Sequence, residues 1–164
     1  MPSQIDHLNR CVELAQEALE AGDAPFGSVL VDADGDVLRE ARNRTRTNEA
    51  TDHPEIALAR WAAQNMTPEA RRAATVYTSG EHCPMCSAAH GWAGLGRIVF
   101  IHSTGQLTEW MAEFGAEKGP VEQLGIDKIV PGVETEGPIP ELAGKMRALH
   151  ARAQGVADQS DGIR

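Results

Sequence analysis

Apolar residues recur at helical spacing across residues 3–21, where Leu8, Cys11, Leu14, Ala15, Ala18 and Leu19 share one face. Ser3 offers a cap at its start and Gly22 a stop. The period then changes. Ser28-Val29-Leu30-Val31 and Val37-Leu38-Arg39-Glu40-Ala41 read as strands on either side of the turn signal Asp32-Ala33-Asp34-Gly35-Asp36, and together they predict a hairpin. Residues 43–51 are polar and irregular and lead into a helix over 52–65. The pattern continues as a strand (73–78), a helix (84–94), a strand (97–101), a helix (106–118), a short strand (128–130) and a last helix (139–153). The remainder, 154–164, is a polar tail expected to fray. After the hairpin, strands alternate with helices, so crossovers should cover both faces of one sheet. The predicted fold is α/β: a three-layer α/β/α sandwich with a mixed sheet of about five strands, one domain over 1–153.

Composition narrows the class. A chain of 164 residues can bury a substantial core as one unit. With 41% hydrophobic and 24% charged residues, it has an ordinary globular balance. No apolar run approaches the roughly 18 residues of a membrane span. The start, Met1 to Asp6, lacks a basic segment followed by an apolar one, so the expected location is the cytoplasm. A net charge of −9 argues against a nucleic-acid partner held by its phosphates. Arg42, Arg44 and Arg46 form a local basic patch, read as a solvated face. There are three cysteines, an odd number that does not suggest a disulfide framework. Cys11, in the first helical stripe, reads as a small core residue.

The chemistry-bearing residues are His53-Pro54-Glu55 and Cys83-Pro84-Met85-Cys86. One imidazole and two thiols are ligands that Zn²⁺ prefers, and three protein ligands leave a fourth position for water. Pro54 and Pro84 each follow a proposed ligand, and proline suits the first turn of a helix. His53 and Cys83 should therefore sit at helix starts, with Cys86 on the same side as Cys83. The partial positive charge there favours thiolates. Glu55, in the same first turn, could ligate the metal or move protons beside it. Zinc lowers the pKa of bound water to about 7, within reach of such a carboxylate. A structural zinc site and a redox Cys-x-x-Cys pair are the competing readings.

His-x-Glu followed by Cys-x-x-Cys, both at helix starts in an α/β/α chain, resembles the cytidine deaminase superfamily. Pro25-Phe26-Gly27-Ser28-Val29 and Tyr77-Thr78-Ser79-Gly80-Glu81 are similar to segments of its guanine deaminase and nucleobase deaminase branch. The likeness covers about residues 5–104. It implies a zinc-dependent aminohydrolase in which His53, Cys83 and Cys86 bind Zn²⁺ and Glu55 is catalytic, shuttling a proton to the ring nitrogen and then to departing ammonia. It also implies that Asn43 hydrogen-bonds the base and that Phe26 and Trp92 pack against it, although both are equally well read as core residues. Glu81, His82 and His90 are read as supporting or surface residues.

Departures from the family pattern bear on the substrate. The residue between His53 and Glu55 is usually Ala or Gly in the family and donates a backbone N–H to the substrate, whereas Pro54 has none. His82 stands where a proline is usual. The acidic side chain that guanine deaminases present to the base falls on Glu113 or Glu117. The chain's one tyrosine, Tyr77, cannot supply a closing aromatic near the C-terminus. The expected substrate is a guanine-like base, with cytosine, modified bases or aminotriazines also admitted. A tRNA adenosine deaminase, with Lys145, Arg147 and Arg152 as docking cations, is the second reading. A non-catalytic zinc-stabilised interaction module is the third. By resemblance the chain forms a homodimer, and Gly/Pro-rich stretches at 115–120 and 131–140 would be hinges for a domain-swapped C-terminal segment.

Overall fold

Ser3 caps α1 (Gln4–Glu20) in a reciprocal capping box with Asp6. The face of α1 that carries Leu8, Cys11, Leu14, Ala15 and Ala18 is buried, as the spacing requires. The chain then enters β1 (Gly27–Val31), every residue of which is buried. Gly27 is needed there because a Cβ would lie 2.6 Å from the Cys11 carbonyl oxygen and 2.5 Å from Leu14 Cβ. A turn in which Asp32 accepts the N–H groups of Asp34 and Asp36 returns the chain as β2 (Val37–Arg42). The rest follows as α2 (Pro54–Asn65), α3 (Pro68–Ala73), β3 (Thr75–Gly80), α4 (Pro84–Ala93), β4 (Arg97–His102), α5 (Thr104–Glu113), β5 (Thr135–Glu136) and α6 (Pro140–Ala153). This computed structural model describes residues 2–157. Residues 158–164 of the expected tail lie outside the described residues.

The sheet is mixed and five-stranded, in the order β2-β1-β3-β4-β5. β1 pairs antiparallel with β2 and with β3, while β3–β4 and β4–β5 are parallel. Strand alternation sorts the core into two layers. Val29, Val31, Tyr77, Val99 and Ile101 face α1, α5 and α6, where Trp110, Leu142, Met146 and Leu149 meet them. Leu30, Val76, Ile98 and Phe100 face α2 and α4, meeting Leu58, Ala59, Ala62 and Ala93. The three-layer expectation stands. Among the described residues no helix is long and apolar enough to cross a membrane.

Three local expectations are corrected. Lys128-Ile129-Val130 is not a strand, because a 3₁₀ turn at Ile126–Lys128 leads into it. Ile126 and Val130, four apart, are joined by a backbone hydrogen bond of 2.8 Å and both pack against the α2–α4 layer, a spacing that one helical turn serves and a strand does not. The fifth strand is instead Thr135–Glu136, two residues paired to Ile98 and Val99. The helix expected over 106–118 is Thr104–Glu113, with Gly115 at φ 73° just beyond its end. α3 was not anticipated, although Thr67 caps it and Pro68 opens it.

Candidate active site

Both halves of the His/Cys motif open helices. His53 is the N-cap of α2 and Cys83 that of α4, and each is followed by proline at the first helical position. His53 Nδ1 lies 3.6 Å from Cys83 Sγ and 3.6 Å from Cys86 Sγ. The three ligand atoms are all within 4.8 Å of one another. A tetrahedral zinc, with Zn–N near 2.0 Å and Zn–S near 2.3 Å, sets the N···S separation at about 3.5 Å. The donor set and its spacing therefore fit Zn²⁺. The two thiols share a proton unequally. Hydrogen bonding from Cys86, and then from His53, lowers the Cys83 pKa, while the same pairing and burial raise Cys86. The hydrogen bond with Cys83 raises His53.

Glu55 is 5% exposed, and its Oε1 has no hydrogen-bond partner. Burial pushes its carboxyl up to about 7, with His53 acting in the opposite direction. A carboxyl poised near neutrality can both take and return a proton.

His53, Cys83 and Glu55 form the floor of a cavity of about 960 Å³. Pro54 is part of that floor and brings no N–H to it. Phe26 and Asn43 stand on one side and Glu117 on the outer wall. Asn43 is nearly fully buried, and its Oδ1 accepts from Thr45 N–H at 3.0 Å and Thr45 Oγ1 at 2.8 Å. Its Nδ2 has no partner among the described residues, so the amide faces the cavity as a donor. The loop carrying Asn43 is anchored by buried Asp23, which accepts the N–H groups of Arg46 and Thr47 and the Thr47 hydroxyl. Burial opposes ionisation of Asp23, but these hydrogen bonds outweigh it and hold the carboxyl below its ordinary range.

Two expected substrate contacts lie elsewhere. Trp92 is 92% exposed on α4, so it neither packs in the core nor reaches this cavity. The apolar stripe of α4 turns Ala93 inward and its neighbour outward, a choice that sequence spacing left open. Glu113 is not in the cavity either, because its carboxylate pairs with Arg147 on α6 at 2.7 Å. Of the two acidic candidates, Glu117 is the one at the cavity.

Sequence reading missed Thr45 and His102. Thr45 sits two residues beyond Asn43, which is Asx-turn spacing, and that signal could have found it. His102 ends β4 and lines the cavity, with its ring 5.2 Å from that of His150 and 5.0 Å from that of Trp110. Burial lowers His102 to about 4 and His150 to about 3, so both are neutral near pH 7. His82, beside Cys83, is fully buried edge-to-face against His90, whose Nε2 donates to the Gly96 carbonyl.

A mixed α/β sheet that aims two helix N-termini, a His/Cys/Cys donor set and a buried carboxylate at one point defines a zinc-binding hydrolytic deaminase domain. Residues 1–102 match the model of the cytidine and deoxycytidylate deaminase zinc-binding region, and the chain belongs to that family. It is 31% identical over 153 residues to a probable cytosine deaminase of Schizosaccharomyces pombe, covering 83% of this chain and 88% of that protein. It is 40% identical over 88 residues to a guanine deaminase of Bacillus subtilis, covering 52% of this chain and 56% of that one. tRNA-specific adenosine deaminases are also among its relatives. A solved guanine deaminase from Nitrosomonas europaea superposes with a TM-score of 0.71 at 18% identity, over 94% of this chain and 86% of that chain, a likeness of fold.

Proposed function

We propose that this chain is a zinc-dependent hydrolytic deaminase of a free nucleobase or related amino-heterocycle. The reaction consumes water, replaces the ring amino group with a carbonyl and releases ammonia. The observation that carries the reading is Glu55, buried, with an unpartnered oxygen and a carboxyl near neutrality, beside a donor set spaced for zinc. His53, Cys83 and Cys86 hold the metal, which supplies Lewis-acid activation of water when bound. Glu55 carries a proton to the ring nitrogen and then to the leaving amine. Phe26 packs against the ring. Asn43 donates to an acceptor on its edge, and Glu117 accepts from a ring N–H or amino group at the outer wall.

Guanine-like rings are the proposed class, because they offer an acceptor edge for Asn43 and donors for Glu117. The family's backbone donor at Pro54 is missing, so a carbonyl over the floor gains less here, and cytosine-like rings, modified bases and aminotriazines remain in the class.

The tRNA reading rests on relatives that act on tRNA. It needs free cations around the cavity. The outer wall instead carries Glu117 and Glu122 with Lys118, and Arg147 on α6 is tied to Glu113. A cytoplasmic homodimer belongs to the same proposal. Cys83 and Cys86, held as zinc thiolates, suit a reducing compartment. Exposed Trp92 on α4 is a surface that a second copy would cover, and mass in solution reads this directly.

The test is ammonia release from guanine, cytosine, isocytosine and aminotriazines by the zinc-loaded protein, with Glu55→Gln as control. Release above the control is expected for at least one ring, with the variant down roughly 10²–10⁴-fold in kcat. No release above the control sinks the reading, and release from tRNA alone transfers it to the second.

A further inference from the structure

We propose that Glu81 is the positioning residue that fixes the outer wall of the base cavity; the proposal rests on the deaminase reading above. Glu81 follows β3 and stands two residues before Cys83. Its Oε1 accepts the Thr104 N–H at 2.9 Å, and its Oε2 accepts the Ile126 N–H at 2.8 Å. Thr104 is the first residue of α5, and Ile126 the first of the 3₁₀ turn. Both N–H groups belong to helical first turns and have no partner within their own helix. One carboxylate therefore satisfies two orphan donors with charge-assisted hydrogen bonds.

Thr104 and Ile126 are also the two ends of a single excursion. Between them the chain leaves the sheet through α5, loops over 114–125 and returns. Ala116, Glu117, Gly119 and Glu122 on that loop form the outer wall of the cavity. Among the described residues, 117–124 make no hydrogen bond to the sheet or to the helices, and Gly125 accepts only from Lys128 within the 3₁₀ turn. Most of the loop is exposed, including Val121 and Leu124. The loop is thus tied to α5 at one end and, through Ile126, to Glu81 at the other, while Glu81 also clasps the start of α5. Gly125 keeps the space open, because a Cβ there would lie 3.1 Å from Glu81 Oε2 and 2.8 Å from Asp127 Oδ1. Through the Glu81-His82-Cys83 segment, the clasp also sets the wall at a fixed distance from the metal floor.

The experiment compares zinc-loaded wild type, Glu81→Ala and Glu81→Gln for base kinetics, zinc content and amide exchange over 104–126. Glu81→Ala should raise KM roughly 10-fold or more with kcat within about 3-fold, because two hydrogen bonds to charge are lost away from the reacting atoms. The amides of Thr104 and Ile126, which Glu81 accepts, should exchange at least about 10-fold faster, as expected for donors left without a partner. Glu81→Gln keeps one acceptor oxygen and should fall between the two. Wild-type KM and exchange in Glu81→Ala overturn the proposal. So does loss of zinc from either variant, which would assign Glu81 to the metal loop. If wild type deaminates no base, the exchange arm still decides the clasp: faster exchange keeps it and removes only the deaminase reading.

Discussion

Thr45 occupies the side-chain oxygen of Asn43 twice, with its backbone N–H at 3.0 Å and its hydroxyl at 2.8 Å. The orientation of the amide is thereby fixed, and only its N–H groups are offered to the cavity. A ring that presents an acceptor there is matched, and one that presents a donor leaves two N–H groups facing each other.

Removing the Thr45 hydroxyl should loosen this preference without touching the metal or Glu55. Thr45→Val keeps the backbone contact and should raise KM about 5-fold, roughly 1 kcal/mol for one neutral hydrogen bond. Asn43→Ala should cost more, about 10-fold in KM, with a smaller change in kcat. Steady-state kinetics on the preferred base check both. An unchanged KM in Asn43→Ala would remove Asn43 from substrate recognition.

The metal prediction concerns stability as well as turnover. The three ligands come from α2 and α4, so a bound ion cross-links two helices and stabilises the folded chain in proportion to its affinity. Cys86→Ser should lower zinc content well below one ion per chain, abolish turnover and lower Tm, and chelation of the wild type should do the same. Metal analysis with calorimetry reads this. A Tm unmoved by chelation would show that zinc does not bridge the helices.

Acid sensitivity follows from His102 and His150. Burial places His102 at about 4 and His150 at about 3, against about 6.5 in the unfolded chain. The folded values are depressed, so the unfolded chain binds more protons as pH falls below 6.5. The stability from keeping these rings neutral is full above pH 6.5 and is lost progressively as pH falls from 6.5 to the folded values of about 4 and 3. For His102 it is on the order of 3 kcal/mol. Unfolding free energy measured between pH 7.5 and 5 should fall steeply in wild type and less steeply, by up to one proton, in His150→Phe. The slope should persist in part, because burial also depresses His82 and His90. Equal slopes in the two proteins would contradict the assignment.

What the sequence made legible was local. His53, Cys83 and Cys86 were readable because each ligand segment carries its own proline at a helix start, and the hairpin was readable from its Asp-Gly turn. Asn43, Phe26 and Glu55 all line the cavity. What was hidden depends on contacts between distant segments. Nothing in the spacing of Glu81 announces Thr104 and Ile126 as its partners. Ile129-Val130 looks like a strand until the edge of β4 proves to be taken by Thr135 and Glu136. The same apolar character would serve Trp92 in a core or on an interface, and only the rotation of α4 decides its direction.

α2 and α4 end at the same point from two different crossovers, one after β2 and one after β3, and each brings its ligand on a capped, proline-started turn. His53, Glu55, Cys83 and Cys86, the residues proposed for the chemistry, are all mounted on that pair. Asn43 and Glu117 ride on two other segments, 43–53, which leads into α2, and 114–125, which runs from α5 to the 3₁₀ turn. On the proposed roles the molecule is divisible: selectivity could be rewritten in these segments while the helix pair keeps its chemistry, and a floor altered as at Pro54 would bear on recognition rather than on the reaction.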